Sequence, residues 1–111
     1  MLSDGSTHWG GRPVARSVAD AGPRQHVVLT GRLTSVVSRH HPALAGPVRN
    51  ADLGPLLEAE LDDTTGTIVL RWLGRERITG IAVGAALGVE GTVLTDHGRN
   101  MVLNPRYSLL Q

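Results

Sequence analysis

The chain has 111 residues and a net charge of +1, enough for one small domain and too few for two independent cores. Hydrophobic residues make up 41%, yet Trp9, Trp72 and Tyr107 are the only aromatics, so Val, Leu, Ile and Ala must fill the interior. Cysteine is absent, which excludes disulfides, thiolate metal sites and cysteine nucleophiles. No apolar run approaches the ~18 residues that cross a bilayer, and no charged head precedes an apolar stretch at the N-terminus. A soluble cytoplasmic protein is the expectation.

Every one of the eleven cations is Arg. That matches the composition of a GC-rich genome, but a guanidinium also suits phosphate and stacks on bases. The acids are unevenly spread: Glu58, Glu60, Asp62 and Asp63 fall within six residues. Arg71, Arg75 and Arg77 lie close together, with Glu76 among them. The balance is not the uniformly basic footprint of a strong nucleic-acid binder.

Residues 1–20 mix Gly, Ser, Thr, Arg and Pro without period and read as a flexible arm. Within it, Ser17 to Ala21 suits one helical turn ended by Gly22-Pro23. Residues 21–111 form the expected domain. The run from His26 to Ser38 is rich in β-branched residues, with Val27, Leu29, Leu33 and Val37 on one apolar face. It is long for one straight strand, and Gly31 is where it can bend and serve two sheets.

Arg39 to Pro55 carries His40, His41, Pro42 and Pro47 and reads as a long loop. Leu57 to Leu61 then alternates, with Glu58 and Glu60 outward. Asp62-Asp63-Thr64-Thr65-Gly66 is turn chemistry. Thr67 to Trp72 alternates again, Ile68, Leu70 and Trp72 opposing Thr67, Val69 and Arg71, so the two runs form a hairpin. Gly74 to Gly84 holds too many glycines for a substantial helix and should be one turn or a loop. A fourth strand spans Leu87 to Val93. The turn Asp96-His97-Gly98-Arg99 leads to a fifth, Asn100 to Leu103, which can continue past Pro105 towards Tyr107.

A bent first strand, a hairpin, a connection and a second hairpin give the strand order of a five-stranded Greek-key oligonucleotide/oligosaccharide-binding (OB) barrel with little helix. An SH3-like barrel and a small sandwich share much of this periodicity. The residues add more. Gly31-Arg32-Leu33, the stretch Leu57 to Trp72 with its Asp63-Thr64-Thr65-Gly66 turn, Val83-Gly84, and Val89-Glu90-Gly91-Thr92-Val93 resemble the tRNA-anticodon/RecG-type OB-fold family. Trp72-Leu73-Gly74-Arg75, Ile78-Thr79-Gly80-Ile81 and Asn104-Pro105-Arg106-Tyr107 resemble small actinobacterial OB-fold nucleic-acid-binding domain proteins. The resemblance covers about residues 17–110. It implies single-stranded or branched nucleic acid, DNA or RNA, held against the hairpin face, with no catalytic residue and no cofactor.

The candidate contacts are Arg39 and Arg49 in the first long loop, Arg71 on the hairpin, Arg75 and Arg77 after it, and Arg99 in the last turn. Arg71 opposite Glu58 and Glu60 also suits a plain cross-strand ion pair, worth ~0.2–1 kcal/mol. Trp72 is either a core residue, as its phase suggests, or a stacking platform. His40-His41 point apart in an extended chain and lack a third ligand, so no metal is expected. The glycines at 74, 80 and 84 lack the helix and Lys of a phosphate loop. A protein-interaction module, using the barrel face or an edge strand, is the alternative reading.

Overall fold

The fold is described for residues 14–40 and 54–110 of a computed structural model. Seven strands share one sheet: β1 (Val14–Ala15), β2 (His26–His40), β3 (Pro55–Asp62), β4 (Thr67–Leu73), β5 (Ala86–Asp96), β6 (Arg99–Leu103) and β7 (Arg106–Leu109). Among the described residues the only helical element is a 3₁₀ turn, Val18–Asp20. The strand order is β1-β2-β3-β4-β6-β5-β7, and β2 also pairs with β5. The pairings of β2, β3, β4, β6 and β5 thus return to their start, a ring of five strands with β1 and β7 added outside. These five are the strands expected from the sequence, with ends moved by a few residues.

The ring depends on β2. Its first half, His26 to Arg32, runs antiparallel to β5, and its second half, Arg32 to His40, antiparallel to β3. The change of partner falls at Gly31-Arg32. A Cβ on Gly31 would lie 2.5 Å from the carbonyl oxygen of Asp62, so a side chain there would push β3 off the bend. A bulge follows, where the register shifts between Leu33 and Ser35 and Thr34 has no opposite residue. One extra residue inverts the alternation beyond it. Val27, Leu29 and Leu33 are buried as expected, but Val37 is 39% exposed and Val36 packs against the core in its place.

The hairpin places Leu57, Ala59 and Leu61 of β3 beside Trp72, Leu70 and Ile68 of β4, all buried. Leu87, Val89 and Val93 of β5 and Val102 of β6 complete the interior. Each buried Leu, Ile or Val contributes about 1.5–3 kcal/mol relative to exposure, so an aliphatic core suffices without Phe. The connection from Gly74 to Ala85 forms no helix. Its buried Ile78 and Ile81 close one end of the ring. Hydrogen bonds from the Gly84 N–H to the Leu33 carbonyl (2.8 Å) and from the Leu33 N–H to the Ala85 carbonyl (2.9 Å) fix it to β2.

At the N-terminal side, β1 runs parallel to β2, with Val14 opposite Val27. Ser17 caps the 3₁₀ turn through its hydroxyl, which accepts from the Asp20 N–H. The turn docks on the hairpin: the Val18 N–H donates to Asp63 (2.8 Å) and the Ala19 N–H to the Thr65 hydroxyl (3.0 Å). Burial opposes the charge of Asp63, but hydrogen bonds from the Thr65 hydroxyl and from the N–H groups of Val18, Thr65 and Gly66 hold its pKa below the ordinary value. Residues 14–20 of the expected arm therefore make sheet and turn contacts, while residues 1–13, with Trp9, lie outside the described residues. At the other end the chain turns at Asn104 (φ +50°) and Pro105 and continues along β5 as β7, with Arg106 opposite Glu90.

Gly31→Ala is expected to lower unfolding free energy by about 1–3 kcal/mol or more, read from urea denaturation. Gly22→Ala, where a new Cβ meets nothing closer than 3.7 Å, should change it by less than about 0.5 kcal/mol. Equal midpoints for the two variants would refute the bend as the critical contact.

Candidate nucleic-acid interface

The outward side of the hairpin carries the charges that alternation assigned to it. Glu58 stands opposite Arg71 and Glu60 opposite Val69. β2 sets Val37 beside Glu58 and Ser35 beside Glu60, and β6 sets Met101 beside Val69 and Leu103 beside Arg71. Across this face runs a chain of ion pairs. Arg39 Nε lies 3.5 Å from Glu58 Oε1, and Arg71 Nε lies 3.4 Å from the same oxygen. Arg71 Nη1 donates to Asp96 Oδ2 at 2.8 Å, and His97 Nδ1 sits 3.1 Å from Asp96 Oδ1. Arg99 Nη2 reaches Glu60 Oε2 at 3.4 Å.

The pair between Arg71 and Asp96 explains a burial that alternation alone does not. Val69 and Met101 point outward, yet they are 2% and 9% exposed. Because β6 lies between β4 and β5, the Arg71 side chain must cross its outer surface to reach Asp96. Its aliphatic stem covers apolar surface while the head stays paired. The hydrogen bond to Asp96 raises the Arg71 pKa, burial works against it, and attraction to Glu58 and Asp96 adds to the rise. Arg71 is permanently charged. Its Nε is buried and makes no directed hydrogen bond, despite the nearby Glu58.

The sequence-predicted contacts divide into four groups. Arg39, Arg71 and Arg99 are brought to one face, each already facing a carboxylate. Arg39 belongs to the end of β2 rather than to the loop expected there. Arg75 and Arg77 are exposed in the connection after β4, with no ion pair among the described residues. Arg49 and His41 lie outside the described residues. Trp72 is not a stacking platform: it is 5% exposed, and its indole N–H donates to the Pro105 carbonyl at 3.1 Å. Tyr107 meets its ring edge to face, centroids 6.0 Å apart at 82°. The alternation phase had already placed Trp72 with Ile68 and Leu70.

Sequence reasoning missed Asp96, which pairs with an arginine two strands away, a contact no local spacing encodes. It named Asn104 only within the Asn104-Pro105-Arg106-Tyr107 motif, without its contact: the side-chain oxygen accepts the Leu73 N–H (2.9 Å) and ties the end of β4 to the last turn. Among the described residues no three His, Asp or Glu side chains gather as a metal site, and no helix is long and apolar enough to cross a membrane.

The Arg71 hydrogen bond, helped by His97, holds the Asp96 carboxyl below the usual carboxylate range. The pair is thus complete above the ordinary carboxylate pKa of about 4 and is lost only as pH falls through the lowered value. In an NMR titration, Arg71→Ala should move the Asp96 midpoint upward towards the ordinary value. An unmoved midpoint would mean that Arg71 does not control this carboxylate.

No protein-family model and no curated protein matches the chain. Solved structures do. The OB domain of Ta0387 from Thermoplasma acidophilum superposes with a TM-score of 0.67 at 11% identity, over 87% of each chain. The second OB-fold domain of replication protein A from Methanococcus maripaludis gives 0.66 at 12% identity, over 88% of this chain and 96% of that one. RecG, in a structure with a three-way DNA junction, gives 0.68 at 18% identity, over 88% of this chain and 13% of RecG. With the ring of β2, β3, β4, β6 and β5, these likenesses establish that the chain has an OB fold.

Proposed function

We propose that this OB domain is a non-catalytic module that binds single-stranded or branched nucleic acid weakly and with little sequence preference. The observation that carries the reading is the gathering of Arg39, Arg71 and Arg99, from three strands, on one outward face of this fold. Arg75 and Arg77 extend the cationic rim beyond β4, and Arg49 is assigned to the same contacts on sequence grounds. RecG, which shares the fold, was solved on a three-way DNA junction, and that supports a nucleic-acid ligand.

Weakness follows from the partners the arginines already have. Phosphate must displace Glu58, Glu60 or Asp96, so binding gains only the difference between two charge-assisted contacts. The glutamates also repel the incoming backbone. With Trp72 buried, the described part of the face offers no aromatic on which to stack a base, a contact worth ~1–3 kcal/mol elsewhere. What remains is phosphate contact, which carries no sequence information.

Fluorescence anisotropy of a labelled single strand tests this. At low salt binding should be measurable, and with ~3–4 phosphate contacts log affinity should fall against log salt with a slope of about −2 to −3. Arg75→Ala with Arg77→Ala should make that slope shallower by about 1 to 1.5. Glu58→Gln with Glu60→Gln should tighten binding several-fold. Absence of binding even at low salt overturns the reading in favour of a protein partner, for which the fully exposed strand β7 offers an edge. Binding unchanged in the double arginine variant removes Arg75 and Arg77 from the site.

A further inference from the structure

The ring has a second outward face, away from the paired arginines, made by the first half of β2 with β5 and β7. Register sets Thr30, Gly88 and Ser108 side by side across the three strands, and Val28, Glu90 and Arg106 in the next row. Two open hollows lie here, of about 480 and 650 Å³. They adjoin at Thr30 and Leu110, which line both, and together they are taken as the groove. Gly88 lies on its floor, where a Cβ would be in ordinary contact with Thr30 (3.8 Å) and with the exposed Leu110 side chain (3.9 Å).

The arginines of this groove are unpaired, unlike those of the hairpin face. Arg106 lines one end, and Arg16 and Arg32 line the other. All three are exposed, and none has a carboxylate partner among the described residues. Arg32 directs one N–H to the Gly84 carbonyl at 2.9 Å, which orients the guanidinium without neutralising it. Three carboxylates also line the groove and keep their charge, but none is paired with an arginine there. Glu90, although opposite Arg106 in the ladder, turns to His26 Nε2 at 3.1 Å. Asp62 accepts from the Thr64 N–H, and Asp63 from the N–H groups of Val18 and Thr65. The hydroxyls of Thr30 and Ser108 have no partner among the described residues.

The row of Arg32 and the row of Arg106 are separated by four residues of β5, from Ala86 to Glu90. At the rise of an extended strand this is about 13 Å between the two backbone rows, a span that successive phosphates of one strand can follow. An extended polyanion meets both. We propose that this groove is a second phosphate-binding surface, in which Arg16, Arg32 and Arg106 hold the phosphodiester backbone of a single nucleic-acid strand laid along β5 over Gly88. The identity of the ligand rests on the function proposed above; the site itself does not.

The test is an NMR titration of the ¹⁵N-labelled full chain, following the amides of Thr30, Gly88 and Ser108. The probes are a short oligothymidylate, inorganic polyphosphate of similar length, and orthophosphate at matched phosphate concentration. Both polyanions should shift the groove amides saturably, and orthophosphate should shift them far less. Arg32→Ala with Arg106→Ala, two exposed side chains, should weaken polyphosphate roughly tenfold at low salt. Gly88→Glu, which sets a carboxylate over the floor, should do the same, while Arg71→Ala should leave the groove shifts in place. Groove amides unmoved by either polyanion, or equally moved in the double arginine variant, overturn the proposal even if the oligonucleotide shifts β3 and β4. Movement with polyphosphate and none anywhere with oligothymidylate upholds the phosphate site and overturns the functional reading instead.

Discussion

The close approach of Gly31 to the Asp62 carbonyl is the constraint on which the architecture rests. A ring of strands needs one member that pairs on both sides of a bend, and β2 is that member. Its two halves cannot share one straight course, because β5 and β3 lie on different sides of the core. The bend brings backbone against backbone, and any side chain at residue 31 would hold the strands apart. The bulge at Thr34 then adds twist just where the strand has changed partner. Together they divide the outer surface of β2: residues before the bend face the groove over β5, and residues after the bulge face the hairpin charges.

That division separates two electrostatic regimes in one small domain. On the hairpin face, Arg39, Arg71 and Arg99 are matched by Glu58, Glu60 and Asp96, and the Arg71 side chain seals Val69 and Met101 beneath it. Such half-exposed pairs contribute only about 0.2–1 kcal/mol each to stability. Their larger effect is to fix the guanidinium planes and lower the local field. On the groove face the acids are held by His26, by the hairpin turn and by the 3₁₀ turn, so the arginines there are without an ion-pair partner among the described residues. A net charge of +1 therefore conceals one surface of paired charges and one whose three arginines and three carboxylates stand apart.

Much of the fold was legible because its signals are local. Alternation in Leu57 to Leu61 and Thr67 to Trp72, turn chemistry at Asp62 to Gly66, and a lone Gly31 in a β-branched run each have one physical reading. Val37 defeated the same logic: a one-residue bulge is invisible in a period-two pattern until the partner strand is known. The end of β2 ran on through Arg39 and His40 because pairing with Leu56 and Pro55 overrides two residues that read as loop. The site was less legible still. Cross-strand neighbours such as Glu58 and Arg71 follow from register, but Asp96 meets Arg71 over an intervening strand. The groove of Arg16, Arg32 and Arg106 joins residues from β7, β2 and the segment after β1, which no spacing brings together.

The burial of Trp72 sets the character of the whole surface. With no Phe in the chain, the core draws on its largest aromatic, and Tyr107 packs across the indole instead of facing solvent freely. Among the described residues that leaves Tyr107, 39% exposed, as the one aromatic on the surface, at the wall of the groove. On the proposed function, a bound strand would meet mainly guanidinium groups, hydroxyls and backbone, which read phosphate and sugar rather than the base edge. Recognition by such a surface scales with how many phosphates it meets in succession, so the separation of Arg32 from Arg106 along β5 matters more than the chemistry of either alone. On that proposal, length and flexibility of the strand, more than its sequence, are what the surface would distinguish.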